Sequence, residues 1–231
     1  MNIQFVSLGP GDPDLITIKS WKALSEADHI FLPYTENSKG EKTSYAEQIL
    51  RKLQIDSTKF RAYKLPMSKD RSSAMEAYSD VAVAASELAK KGERVTITAE
   101  GDGGFYSSSH FIYEKLLSLG ASMDKLPGIP AFISAGAIAS LQIVEQEERL
   151  IVLPTAKNLE VLNNNTADGN VLVLMKLSQN EELIKAFISQ RKDKEFHYFE
   201  FVSMEEKSFY SNDKAQILDR PFPYFSLMII K

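Results

Sequence analysis

Ile3-Gln4-Phe5-Val6-Ser7-Leu8-Gly9-Pro10-Gly11-Asp12-Pro13 is the stretch that decides the class of fold. Its first six residues read as a strand, and two glycines and two prolines then stop it. Thr17 to Ala27 follows as a helix, so the chain opens as a βαβ unit. Working outward, His29-Ile30-Phe31-Leu32 is a second strand, Ser44 to Leu53 a second helix and Phe60 to Leu65 a third strand. A long helix runs from about Ser72 to Lys91. In it Val81, Ala84, Ala85 and Leu88 recur at three- and four-residue spacing, and Gly92 stands where a C-terminal cap belongs. Val95-Thr96-Ile97-Thr98 is rich in β-branched residues and reads as the next strand. The alternation predicts an α/β fold with a mainly parallel first sheet.

Leu126-Pro127-Gly128-Ile129-Pro130 is dense in turn formers and marks the expected boundary between two α/β domains, 1–126 and 127–231. Beyond it the sequence predicts a helix over Ile133 to Leu141 and strands at Leu150 to Leu153 and Val171 to Met175, with a polar loop at Asn163-Asn164-Asn165 between them. Phe196 to Val202, Lys207 to Tyr210 and Phe225 to Ile230 read as further strands, antiparallel in arrangement.

Composition narrows the possible functions. The 231 residues are 44% hydrophobic and 25% charged, an ordinary globular balance. With no Cys, disulfides, Cys-ligated zinc and thiolate nucleophiles are excluded. The 27 basic and 31 acidic residues leave a net charge of −4, which argues against binding bulk nucleic acid or anionic membrane. The first residues lack a basic leader, and Gly128 to Val144 is too broken by Gly, Pro and Ser to span a bilayer. The expectation is a cytoplasmic protein.

Two loops carry the chemical signal. In Leu8-Gly9-Pro10-Gly11-Asp12-Pro13 the glycines suit close approach to a pyrophosphate, but a third glycine is missing at Asp14 and the prolines remove N–H groups. A rigid turn shaping a cleft edge is the competing reading. Ala99-Glu100-Gly101-Asp102-Gly103-Gly104-Phe105-Tyr106-Ser107-Ser108-Ser109 places three glycines and two carboxylates at a strand's C-terminal end, where open α/β sheets bind ligands. His29, His110 and His197 share no metal-ligand spacing, and no metal site is expected. Lys64, Lys69 and Arg71, around Pro66-Met67-Ser68, form either a solvated surface or an anion-steering patch.

Taken together, the loops resemble the tetrapyrrole (corrin/porphyrin) methylases, the class III S-adenosylmethionine (SAM) methyltransferases. The resemblance rests on Val6 to Lys19 and its continuation Ala23 to Ile30, on Gly101 to Ser108, and on Pro127-Gly128-Ile129-Pro130-Ala131-Phe132. Leu65 to Asp70, Leu174-Met175-Lys176 and Pro223-Tyr224-Phe225-Ser226-Leu227 look like the branch that methylates C20 of precorrin-2 or cobalt-factor II. Gly103 departs from the pattern, standing where the family usually has Pro.

The resemblance implies SAM in a cleft between two α/β domains, a tetrapyrrole acceptor and a homodimer. Carried over by motif position, the SAM contacts are Pro10, Glu100, Gly101, Asp102, Phe105, Pro130, Ala131, Met175 and Val202. Asp102, Tyr106 and Lys176 are candidates for handling the departing proton, and Lys64, Lys69 and Arg71 for steering the carboxylate-rich ring. The alternatives are a C11- or C17-type methylase, a diphthine synthase, or a tetrapyrrole-binding protein without catalysis.

Overall fold

The computed structural model describes residues 2–66, 72–204 and 207–231. The chain divides into two compact units, Met1–Pro130 and Ala131–Lys231.

The first unit runs β1 (Ile3–Ser7), α1 (Ile18–Glu26), β2 (His29–Glu36), β3 (Lys42–Thr43), α2 (Tyr45–Lys52), β4 (Phe60–Lys64), α3 (Ser72–Lys90), β5 (Val95–Ala99), α4 (Ser109–Ser118) and β6 (Met123–Leu126). Its parallel strands lie in the order β4-β2-β5-β1-β6, with β3 antiparallel against Thr35 and Glu36 at the end of β2. Register pairs Ser7 with Ala99 across β1 and β5, and Val6 with Leu126 across β1 and β6.

Alternation along β1 explains the two-sided core. Ile3 and Phe5 join Val81, Ala85, Ile112 and Leu116 of α3 and α4 on one face. Val6 and Leu8 join Leu24, Ile49 and Leu50 of α1 and α2 on the other. The helix starts are set locally. Thr17 accepts a hydrogen bond from the Ser20 N–H at 3.1 Å, and Ser44 accepts one from the Glu47 N–H at 3.1 Å.

The second unit runs α5 (Ala131–Ile138), β7 (Arg149–Leu153), α6 (Leu159–Asn165), β8 (Asn170–Met175), α7 (Glu181–Gln190), β9 (Phe196–Glu200), β10 (Phe209–Ser211), α8 (Lys214–Asp219) and β11 (Ser226–Ile230). Strand order is β10-β9-β11-β8-β7; β7 and β8 are parallel and the other neighbours antiparallel. Leu172, Leu174, Phe196, Tyr198, Met228 and Ile230 point to one face, where Leu162, Ile184, Phe187 and Ile217 of α6, α7 and α8 meet them. Below this core Glu200, only 6% exposed, accepts a hydrogen bond from the Tyr198 hydroxyl at 2.7 Å and two from Arg220 at 2.8 and 3.0 Å.

The sequence expectation contains no strand at β3 or β6 and no helix at α7 or α8, and one segment that it does assign differs. Asn163-Asn164-Asn165, expected as a polar loop, closes helix α6. Asn158 caps the helix, Leu162 is fully buried, and the Asn165 amide donates back to the Val161 carbonyl at 2.7 Å. Tertiary burial of one leucine outweighs the weak helix propensity of three asparagines.

Candidate functional site

Strand order brings three loops side by side. β5, β1 and β6 are adjacent and parallel, so the segments after Ala99, Ser7 and Leu126 leave the same end of the sheet. Backbone pairing then joins them. The Gly9 N–H donates to the Gly101 carbonyl at 3.1 Å and the Gly101 N–H returns to Gly9 at 2.8 Å. Both glycines have positive φ, 77° and 68°, a conformation that favours glycine. Asp102 ties in the third segment: one carboxylate oxygen accepts the Gly104 N–H at 2.8 Å and the other the Gly128 N–H at 2.7 Å. Ser7 lies beneath, donating to the Leu126 carbonyl at 2.7 Å and accepting from the Gly103 N–H at 2.9 Å. Pro10 is buried, the Phe105 and Tyr106 rings meet edge-on at 4.8 Å, and Tyr106 is 48% exposed with φ 51°.

The second unit has its own convergence. β8 and β9 end where the antiparallel β11 begins, so Met175 faces Leu227 and Glu200 faces Ser226. Lys176 donates its N–H to the Ser226 carbonyl at 3.0 Å, and Phe201 donates to the Phe225 carbonyl at 2.8 Å. The Phe201 and Phe225 rings lie 6.0 Å apart, with Tyr224 against Phe225 at 5.1 Å. Lys176, Phe201 and Ser203 all have positive φ, between 45° and 61°, a strained state for residues with a side chain. A hydrogen bond of 2.6 Å between the Ser134 and Ser203 hydroxyls brings α5, which begins at Ala131, to this strand end.

Two groups of predicted site residues therefore assemble, each within its own unit. Pro10, Glu100, Gly101, Asp102, Phe105 and Tyr106 share the first cluster, with Pro130 closing the segment that Gly128 anchors. Met175, Lys176 and Val202 share the second, to which Ala131 is linked through its helix. Lys64 is exposed and pairs with Glu36 at 3.2 Å. Lys69 and Arg71 lie outside the described residues. The histidines are scattered: His29 pairs with Glu93, His110 lies 3.6 Å from Glu114, and His197 bonds the Tyr210 hydroxyl at 3.0 Å. Sequence reading missed Ser7, Ser203 and Phe201. Only Ser7 carried a signal, as the small polar residue closing a strand beside two glycine loops.

These geometries stand beside clear relatives. The family model of the tetrapyrrole (corrin/porphyrin) methylases matches residues 2–217. This chain belongs to that family. Among curated relatives, a precorrin-2 C(20)-methyltransferase of a Sinorhizobium species is 26% identical, with 97% of this chain and 93% of the relative aligned. A probable cobalt-precorrin-2 C(20)-methyltransferase of Methanocaldococcus jannaschii is 27% identical over 98% of this chain and 94% of its own length. A cobalt precorrin-4 methyltransferase structure superposes with a TM-score of 0.72 at 15% identity, covering 99% of this chain and 93% of the other. The uroporphyrin-III C-methyltransferase of Thermus thermophilus, solved with S-adenosylhomocysteine, gives 0.66 at 14% identity over 100% and 92%.

Within this methylase, Glu100 is the acid of the first cluster whose behaviour is altered. Protein crowds its carboxylate although solvent reaches it, and that partial burial pushes its pKa up to about 7. A hydrogen bond from the Ala46 N–H, in the first turn of α2, works in the opposite direction. Two open hollows, of about 340 and 280 Å³, lie elsewhere: one beside Lys194, His197 and Lys214, the other beside Asn2, Ala89 and Leu119. The first is polar and the second sits under the opposite ends of the strands, so the methylase motifs contribute to neither.

Proposed function

We propose that this methylase transfers a methyl group from SAM to the C20 meso carbon of precorrin-2 or cobalt-factor II, a step in building the corrin ring of cobalamin. The observation that carries the reading is end-to-end similarity to two relatives, one named for that activity and one named as a probable enzyme of it, over 97% and 98% of this chain. We also propose that it works in the cytoplasm as a homodimer. Among the described residues no helix is long and apolar enough to cross a membrane.

The residues fit a cofactor held by backbone and apolar groups. Ser7 and Asp102 hold the 101–104 loop from within. A Cβ built at Gly101 meets nothing within 4 Å, so that side of the loop is open. Pro10, Glu100, Gly101, Asp102, Phe105 and Pro130 in the first unit, with Ala131, Met175 and Val202 in the second, are the proposed contacts. When bound, SAM supplies an electrophilic methyl on a sulfonium. The chain's task is then to hold donor and acceptor in line, which can contribute up to ~7–11 kcal/mol, and to limit water. Transfer would break the C–S bond of SAM, form a C–C bond at C20 and release the C20 proton. Asp102, Tyr106 and Lys176 are the residues proposed to take or guide that proton. Asp102 would have to share an oxygen already engaged by a backbone N–H.

Anaerobic incubation with SAM and each acceptor, read by mass spectrometry with the position fixed by NMR, tests the reading. Addition of one methyl at C20 supports it. No methylation of either ring, with SAM still bound, overturns the C20 assignment. For substrate steering, Lys64, Lys69 and Arg71 are replaced together by Ala. The acceptor KM is expected to rise about tenfold at low salt and to lose its salt dependence.

A further inference from the structure

Ser7 is buried, 2% exposed, at the last position of the central strand β1. Its hydroxyl has one proton, and both neighbours dictate how it is used. The Leu126 carbonyl can only accept, so Ser7 Oγ donates to it at 2.7 Å. The Gly103 amide can only donate, so Ser7 Oγ receives its N–H at 2.9 Å. One side chain of β1 thus holds the loop after β5 and the end of β6 together. The fit leaves no spare room: a Cβ on Gly128 would fall 2.5 Å from the Ser7 Cβ.

We propose that Ser7 is a positioning residue for methyl transfer, a latch that sets the conformation of the 101–104 loop through the Gly103 N–H. The inference rests on the reading of that loop as part of the SAM site. Gly103 donates the latch hydrogen bond, and a proline there cannot. Its ring carbon would take the place of the amide hydrogen, well inside contact distance of Ser7 Oγ. The Ser7 hydroxyl and a residue-103 proline are therefore mutually exclusive ways of restraining one loop.

Four proteins test this: wild type, Ser7→Ala, Gly103→Pro and the double variant. Each is measured for SAM affinity by calorimetry, for kcat and acceptor KM, and for melting temperature without SAM. Ser7→Ala strands a buried N–H and a carbonyl and is expected to weaken SAM binding about tenfold. Acceptor KM is expected to change far less. Gly103→Pro alone is expected to weaken SAM binding more than Ser7→Ala does. The double variant is expected to bind SAM better than Gly103→Pro alone, because the clashing oxygen is gone. A role confined to packing predicts instead that the two losses multiply, and that result overturns the latch. If Ser7→Ala does not fold, Ser7→Cys, of similar volume but weaker in both hydrogen bonds, is used. An intermediate affinity supports the latch and an unchanged one overturns it. Failure of the wild type to bind SAM overturns the underlying reading, a result distinct from multiplying losses.

Discussion

The strand-end clusters of the two units differ in emphasis: the first has one side-chain-bearing residue at positive φ, Tyr106, and the second has three. In the first, backbone meets backbone: Gly9 pairs with Gly101, and Ser7 and Asp102 fasten Gly103, Gly104 and Gly128. In the second, side-chain-bearing residues adopt conformations that glycine would hold without strain, at Lys176, Phe201 and Ser203, beside the Phe201, Tyr224 and Phe225 rings. In the first cluster small residues allow backbone to approach backbone closely. The second is held in strain by the sheet beneath it, where β8, β9 and β11 pair in continuous antiparallel register. A fixed loop suits a cofactor recognised through its backbone contacts, and strained strand ends carry the larger side chains.

Substitutions can break this contrast. The largest effect is expected at Gly128→Ala, whose Cβ would stand 2.5 Å from the Ser7 Cβ and 2.7 Å from the Gly101 carbonyl oxygen. Neither neighbour can swing aside, so about 3 kcal/mol of stability and SAM binding are expected to be lost, read by denaturant unfolding and calorimetry. Full stability in this variant would show that the cluster yields more easily than its hydrogen bonds imply.

Asp102→Asn comes next. The amide presents a donor to one of the two backbone N–H groups that the carboxylate now accepts, and about 2 kcal/mol is expected to be lost. Unchanged stability with abolished turnover would instead assign Asp102 to proton transfer.

The second cluster is expected to respond with the other sign. Lys176 has φ 53° and ψ 49°, so Lys176→Gly relieves strain and is expected to raise stability by about 0.5–1 kcal/mol while lowering turnover. A loss of stability would mean that the lysine's contacts outweigh its backbone strain.

The smallest effect belongs to Glu100. Its pKa is raised from 4.5 to about 7, so the folded protein binds more protons than the unfolded chain between those values. Stability is therefore expected to fall as pH rises through that window, by less than about 1 kcal/mol because water reaches the carboxylate. Glu100→Gln removes this contribution, read as the difference between the two pH profiles. Identical pH profiles for wild type and Glu100→Gln would place the carboxylate in an ordinary solvated setting.

Much of the first unit was legible because its signals are local. The strand of β1, the turn that follows it, and the start of the second helix near Ser44 are each decided within a few residues. The second unit was less so. Asn163 to Asn165 reads polar but lies in a helix, and the sequence reading has no helix at α7, Glu181–Gln190. Its site residues are hidden for a related reason: Phe201 and Ser203 adopt positive φ without the glycine that would advertise it.

By itself the sequence determined four of the strands in the first unit, β1, β2, β4 and β5, but neither β3 nor β6; it also determined where the glycine turns fall and a family resemblance that the comparisons bear out. It left open which strands become neighbours. That β1 lies between β5 and β6, bringing Ser7 to Gly103 across 96 positions and to Leu126 across 119, was decided by the tertiary structure. The reason is physical: a turn or cap is set by the dihedral preferences of a few adjacent residues. Strand order and the Ser7 hydrogen bonds arise only when distant segments bury their apolar faces together and their remaining polar groups must find partners.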